Sequence, residues 1–227
     1  MRSGASLEPP CGGTSQRSRT MLTFSTLGPE GGNHQFVLQQ YLAVHGIADA
    51  ARIVLFDDFH AGARDVAGGR VDYMLQCAVH PAAAEITGSY RSAIVPVDAF
   101  VSPSRPMALV RARRADGDPG GRVGVQPATA SYVDLSPWES VGHEPTVLAV
   151  QAGLVEGRYD AGIVFSSFAL AHAGAFQIVE AIGTVCDAWI MFGRKAVDNG
   201  AAVVWRDSPV GRQYWLEIAR TSGQTDA

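Results

Sequence analysis

From Met21 onward the chain alternates short apolar, β-prone runs with segments whose apolar residues recur at helical spacing, and Gly and Pro mark the joints. Residues 22–28 (LTFSTLG) predict a strand running into a Gly-Pro loop. In residues 34–45, Phe36, Val37, Gln40, Tyr41 and Val44 share a helical repeat that Gly46 stops. Residues 52–56 predict a strand; Asp57 and Asp58 then offer caps for a helix through Val66, ended by Gly68 and Gly69. Strands follow at 71–77 and 91–100, and a third at 106–113 leads away from them. The turn cluster 115–121 (ADGDPGG) opens a second series. It comprises a strand at 122–127, a short helix at 128–135, a helix at 145–156, a strand at 159–165 and a helix from Ser166. Strands at 176–182 and 188–193 and a last helix over about 208–220 complete the pattern.

Two rounds of strand and helix predict two parallel α/β lobes. Residues 21–104 with about 190–220 make lobe I, and residues 105–189 make lobe II. A ligand is expected at the carboxyl ends of the strands, in the cleft between the lobes. Residues 1–20 are rich in Ser, Gly, Pro and Arg with almost nothing apolar to bury, so a disordered leader is expected there.

Composition narrows the function classes. With 47% hydrophobic and 18% charged residues, the 227-residue chain can bury a core, which excludes general disorder. A net charge of −4 lacks the cationic footprint of a nucleic-acid binder. No stretch approaches the roughly 20 apolar residues of a membrane span. Cys11, Cys77 and Cys186 form no CxxC, and the six histidines form no HExxH or HxH, so no metal is expected. Lys195, beside Arg194, is the only amine available for a Schiff base, and no pyridoxal phosphate or other cofactor is expected. The absence of an apolar signal core at the N-terminus predicts a cytoplasmic protein.

Three strand-to-helix junctions could hold an anion. The first is Gly28, Pro29, Glu30, Gly31, Gly32 and Asn33, where glycines admit close backbone approach and helix amides follow; a plain Gly-Pro turn is the alternative. The second carries Thr129 and Ser131, with simple capping by Thr129 as the alternative. The third is Phe165-Ser166-Ser167. Three such junctions suit a ligand with more than one carboxylate. His80, directly after a strand, is either a proton donor or a cap. Arg105, in Ser102-Pro103-Ser104-Arg105-Pro106, is either a carboxylate clamp or a surface residue. Trp189 is core or pocket wall, and Cys77 reads as a small buried apolar residue.

These residues carry a resemblance. TLGPEGGNHQ (26–35) resembles the GPEG(T/S) opening of prephenate dehydratase catalytic domains. LFDDFHAGARDVAGGRVDYML (55–75) and YDAGIVFSSFALAHAGAFQIVEAI (159–182) resemble later segments, so that the similarity spans roughly residues 22–194. Where the dehydratases carry Val-Pro-Ile-Glu-Asn-Ser, this chain has Leu75-Gln76-Cys77-Ala78-Val79-His80, and their Thr-Arg-Phe motif falls near Ala188-Trp189-Ile190. AWIMFGRK (188–195) and PMALVR (106–111) are similar instead to the non-aromatising prephenate decarboxylases of bacilysin-type pathways. The resemblance implies a type II periplasmic-binding-protein-like fold of two small lobes and, for that branch, no regulatory ACT module. It also implies a cofactor-independent decarboxylase rather than a dehydratase. Its expected anion anchors are Gly31, Gly32, Thr129, Ser131 and Arg105, and its proton donor is His80, or else Glu30. A small carboxylate is the expected partner, and a homodimer stays open. Two rival readings are the same fold acting on another cyclic diene carboxylate, and a two-lobed carboxylate-binding protein without chemistry.

Overall fold

The computed structural model describes residues 21–113 and 121–197, together with Val210 and Leu216. The expected leader, most of the turn cluster at 115–121 and most of the last helix therefore lie outside the described residues. Residues through Arg194 form one compact unit, built on two five-stranded sheets.

The first sheet contains β1 (Leu22–Leu27), β2 (Ala51–Phe56), β3 (Tyr73–Cys77), β4 (Val95–Pro103) and β10 (Cys186–Gly193), in the order β2-β1-β3-β10-β4. β1 runs parallel to β2 and β3, with Phe24 opposite both Ile53 and Tyr73. β10 lies antiparallel between β3 and β4, pairing Trp189 with Cys77 and with Phe100. Helix α1 (Asn33–Val44) covers one face, where Val37, Leu38 and Leu42 pack with Phe24, Leu75, Trp189 and Met191. Helices α2 (Phe59–Ala67) and α3 (Ala83–Ser89) cover the other, where Phe59, Val66 and Ile86 meet Met74 and Phe192.

The second sheet contains β5 (Met107–Ala112), β6 (Arg122–Val125), β7 (Ser140–His143), β8 (Ala161–Phe165) and β9 (Phe176–Gly183), in the order β7-β6-β8-β5-β9. Helices α4 (Val147–Val155) and α5 (Ser166–Ala171) supply Val150, Leu154 and Phe168 to one face, against Ala108, Val110 and Val164. The other face buries Leu109, Val125 and Ile163 beneath Tyr132, Leu135 and Trp138.

The two α/β lobes are present, but their sheets are mixed rather than parallel. β5 is antiparallel to β8 and β9, as β10 is to β3 and β4. The cause is the double crossing: the strand that enters each sheet from the other runs against the local strand–helix–strand units. β10 begins at Cys186, so the return to the first sheet precedes the expected boundary at 189/190 and places Trp189 in that sheet. The two crossings are tied together, since Ser104 N donates to the Val185 carbonyl at 2.8 Å and Val185 N to Ser104 Oγ at 3.2 Å. The helix expected at 128–135 is a 3-10 segment, Pro127–Tyr132, and the strand expected at 91–100 runs from Val95 to Pro103. α3 and β7 are additional. Among the described residues no helix is long and apolar enough to cross a membrane.

Candidate functional site

The loop after β1, the start of the helix after β8 and the crossing at Arg105 meet. The loop after β1 is tightly determined. Gly28 N donates to the Phe56 carbonyl at 2.8 Å. Gly31 occupies φ +79°, which only glycine adopts without strain. A Cβ on Gly32 would lie 2.9 Å from the Pro29 carbonyl oxygen. The amides expected to receive an anion are already engaged: Gly31 N donates to Gln35 Oε1 at 2.6 Å and Gly32 N to the Pro29 carbonyl at 3.1 Å. As anchors, these two amides are therefore closed, and the loop acts through its shape and through what it holds.

What it holds is Arg105. The backbone N–H of Arg105 donates to Asn33 Oδ1 at 3.0 Å, and its guanidinium donates to the Gly31 carbonyl and, at 3.2 Å, to Ser167 Oγ. The guanidinium carbon stands 4.4 Å from the centre of the Phe165 ring. Gly31 and Asn33 belong to lobe I, Phe165 and Ser167 to lobe II, and Arg105 to the crossing between them. A guanidinium carries more donors than these two bonds engage, in a planar fork that matches a carboxylate.

Beside this cation lies an aromatic and imidazole group. The His34 ring, in the first turn of α1, is 5.0 Å from Trp189 (79° between planes), 5.6 Å from Phe59 and 6.2 Å from His80. His80 also meets Phe59 at 4.7 Å, and its Nδ1 accepts the Ala82 N–H at 3.2 Å. Burial, then the neighbouring His80, lowers the His34 pKa to about 4; burial lowers that of His80 as well. Both imidazoles are thus predominantly neutral at pH 7. His34 Nε2, Trp189 Nε1 and both ends of the Gln76 amide are buried without a hydrogen-bond partner among the described residues.

The lobe II positions behave differently. The Thr129 hydroxyl is buried and donates to the Gln126 carbonyl at 2.9 Å, the local capping role; Ser131 is exposed. Ser166 is half-buried and its N–H donates to the Pro106 carbonyl at 2.8 Å. Glu30 and Pro29 are exposed, and among the described residues no side-chain hydrogen bond or ion pair forms at Glu30. The fold thus brings Gly31, Asn33 and Arg105 together, and separately places His80 and Trp189 each beside His34. It leaves Glu30 and Ser131 at the surface and Thr129 closed on itself.

His34, Gln76 and Tyr132 were not singled out in the sequence. The phenol pKa of Tyr132 is raised by burial and then by Asp187 and Cys77, which relates the 3-10 segment of lobe II to β10 and β3. Burial also raises Asp187 and Cys77, so Cys77 is not activated as a thiolate. Ser167, by contrast, belongs to the third of the expected junctions, where its hydroxyl meets Arg105. Among the described residues no His, Cys, Asp or Glu group is arranged to hold a metal ion.

No protein family matches the sequence, and no curated protein matches it. Solved structures do share its architecture. A prephenate dehydratase from Arthrobacter aurescens, solved in complex with L-Phe, superposes with a TM-score of 0.58 at 16% identity, covering 86% of this chain and 71% of that one. GqqA, described as a novel type of quorum quenching acylase, gives 0.51 at 10% identity over 80% of this chain and 67% of that one. The periplasmic aliphatic sulphonate binding protein SsuA from Escherichia coli gives 0.44 at 15% identity over 77% and 61%. The class defined by the two mixed sheets is the type II periplasmic-binding-protein-like fold. Within it, the chain has the architecture of prephenate dehydratase, and at these identities the likeness is one of fold alone.

Proposed function

We propose that this chain is a cofactor-independent carbon–carbon lyase that decarboxylates prephenate or a similar carboxylated cyclohexadienol without aromatising it. The observation that supports this reading best is Arg105, a cation at the crossing, oriented by both lobes and seated on Phe165. The reaction asks little else of the protein. The ring carboxylate of such a substrate sits on a carbon flanked by two alkenes. When the C–C bond to CO2 breaks, its electron pair delocalises over the diene, and a ring terminus takes up one proton. No Thr-Arg-Phe acid stands at 188–190 to expel the hydroxyl, so the hydroxyl is retained. His80 is the first candidate to deliver the proton and Glu30 the second; the donor regains its proton from solvent. A second reading, binding of a small carboxylate without turnover, is favoured by the neutrality of His34 and His80 at pH 7.

Incubation with prephenate should release CO2 without the absorbance of phenylpyruvate. Phenylpyruvate would replace the reading with dehydration, and calorimetric binding without CO2 would replace it with the second. Arg105→Ala should weaken binding by about 1.5 to 3 kcal/mol, the scale of a lost charge-assisted hydrogen bond. In an active enzyme, the rate should rise as pH falls below 6.5, because the reactive form of His80 is the imidazolium and burial lowers its pKa. His80→Gln should abolish that dependence.

A further inference from the structure

Buried polar atoms almost always have partners, so those that lack them within the chain point to something the chain receives. Two such groups meet where the carboxyl end of β3 pairs with the amino-terminal half of β10, and a third lies close by across the sheet. Trp189, 1% exposed, has an indole N–H with no acceptor among the described residues. His34 Nε2 is buried and likewise unpartnered, and the two rings stand 5.0 Å apart and nearly perpendicular. Gln76 has no exposed surface and lies one register position along, on the opposite face of the same strand pair. The Arg105 contact adjoins this group, because Asn33, which accepts the Arg105 N–H, directly precedes His34.

We infer that His34 and Trp189 form a subsite for an uncharged hydroxyl of the ligand whose carboxylate Arg105 receives. This rests on the carboxylate reading proposed above. A hydroxyl has the complement of both orphaned atoms: its oxygen accepts the indole N–H, and its O–H donates to a neutral imidazole nitrogen. With the His34 proton on Nδ1, the tautomer this subsite requires, Nε2 is an acceptor and a second carboxylate brings no proton for it. The ligand class is therefore a small cyclic hydroxy acid, with one anionic end at the crossing and one neutral polar end against the first sheet. The subsite also bears on the fate of that hydroxyl. An uncharged imidazole and an indole N–H hold it without supplying the proton that would make it leave as water. His34 is then a positioning residue that favours retention of the oxygen.

Two unreactive probes test this on the full chain: trans-4-hydroxycyclohexanecarboxylate and cyclohexanecarboxylate, which differ by one hydroxyl. Isothermal calorimetry should show at least about tenfold tighter binding of the hydroxylated acid, because a buried polar subsite discriminates against a ligand that leaves it unpaired. The ratio should fall toward one in His34→Phe and in Trp189→Phe, which keep an aromatic ring and lose the polar atom. Should His34→Phe fail to fold, the wild-type ratio and Trp189→Phe still decide. Equal affinity of the wild-type protein for the two probes would overturn the subsite while leaving the carboxylate reading intact, the orphaned atoms then being satisfied by water. Failure of both probes to bind would overturn the carboxylate reading and the subsite with it.

Discussion

An imidazole packed among Trp189, Phe59 and a second imidazole folds most easily without its extra proton. Burial depresses the His34 pKa to about 4, against 6.5 for an unperturbed histidine. Between those values the unfolded chain binds more protons than the folded one, so acid favours unfolding there. The contribution of His34 to stability is fully present above pH 6.5 and is lost as pH falls toward 4. His80, lowered by burial, acts in the same direction. Urea unfolding midpoints followed from pH 7 to pH 4 should therefore decline more steeply in the wild-type protein than in His34→Phe. Parallel curves would show that the imidazole is hydrated in the folded state. The His34 environment also explains why sequence reasoning passed it over. One histidine early in a helix is commonplace, and its character comes from rings supplied by α2, β10 and the segment after β3.

At the scale of elements, β7 shows both what the chain discloses and what it conceals. Its sequence, Ser-Val-Gly-His, has no apolar alternation because the inward position is Gly142. The missing side chain is supplied from elsewhere: Tyr159, 4% exposed, lies against Gly124, Gly142 and Gly153 and donates its hydroxyl to Glu144 at 2.8 Å. A Cβ at 124 or 153 would fall 2.6 Å from a ring carbon, and one at 142 nearer still. Gly142→Ala should consequently cost about 1 to 3 kcal/mol, the usual range for overpacking, in denaturant unfolding. A change within experimental error would mean that Tyr159 can swing aside. α3 escaped notice for a related reason, since Ala83–Ser89 (AAEITGS) buries only Ala83 and Ile86 and shows no repeat. By contrast, β1, β3, β8 and α4 were legible because their own residues carry the apolar face or run; α1 was legible as a helix, but it buries Val37, Leu38 and Leu42 and leaves Gln40 and Val44 of the expected repeat exposed. Asp58 was legible as the cap of α2, its carboxylate accepting the Ala61 N–H at 3.0 Å. Strand direction was not legible, because pairing across the double crossing joins residues more than a hundred positions apart, such as Cys77 and Trp189. The candidate site was expected between the lobes, at the carboxyl ends of strands. Its chemistry shifted from helix amides to one guanidinium, since Gln35 and Pro29 occupy the amides of Gly31 and Gly32.

Across the whole molecule, Arg105 couples the lobes as well as offering charge. Arg105→Lys keeps the cation but cannot reach the Gly31 carbonyl and Ser167 with one rigid fork. It should bind carboxylates more weakly than the wild-type protein but better than Arg105→Ala. The amides of residues 31–35 should also exchange faster with solvent. Exchange at the wild-type rate would mean that Asn33 alone fixes the loop. The strand order has a further consequence, for the timing of assembly. β10 separates β3 from β4 in the first sheet, yet it is made only after the whole of lobe II. A chain emerging from the ribosome therefore holds its earlier lobe with an interior place in the sheet unfilled until residue 193 is free. Although N-terminal units of larger proteins generally fold first, here the lobe that starts first is the one that finishes last.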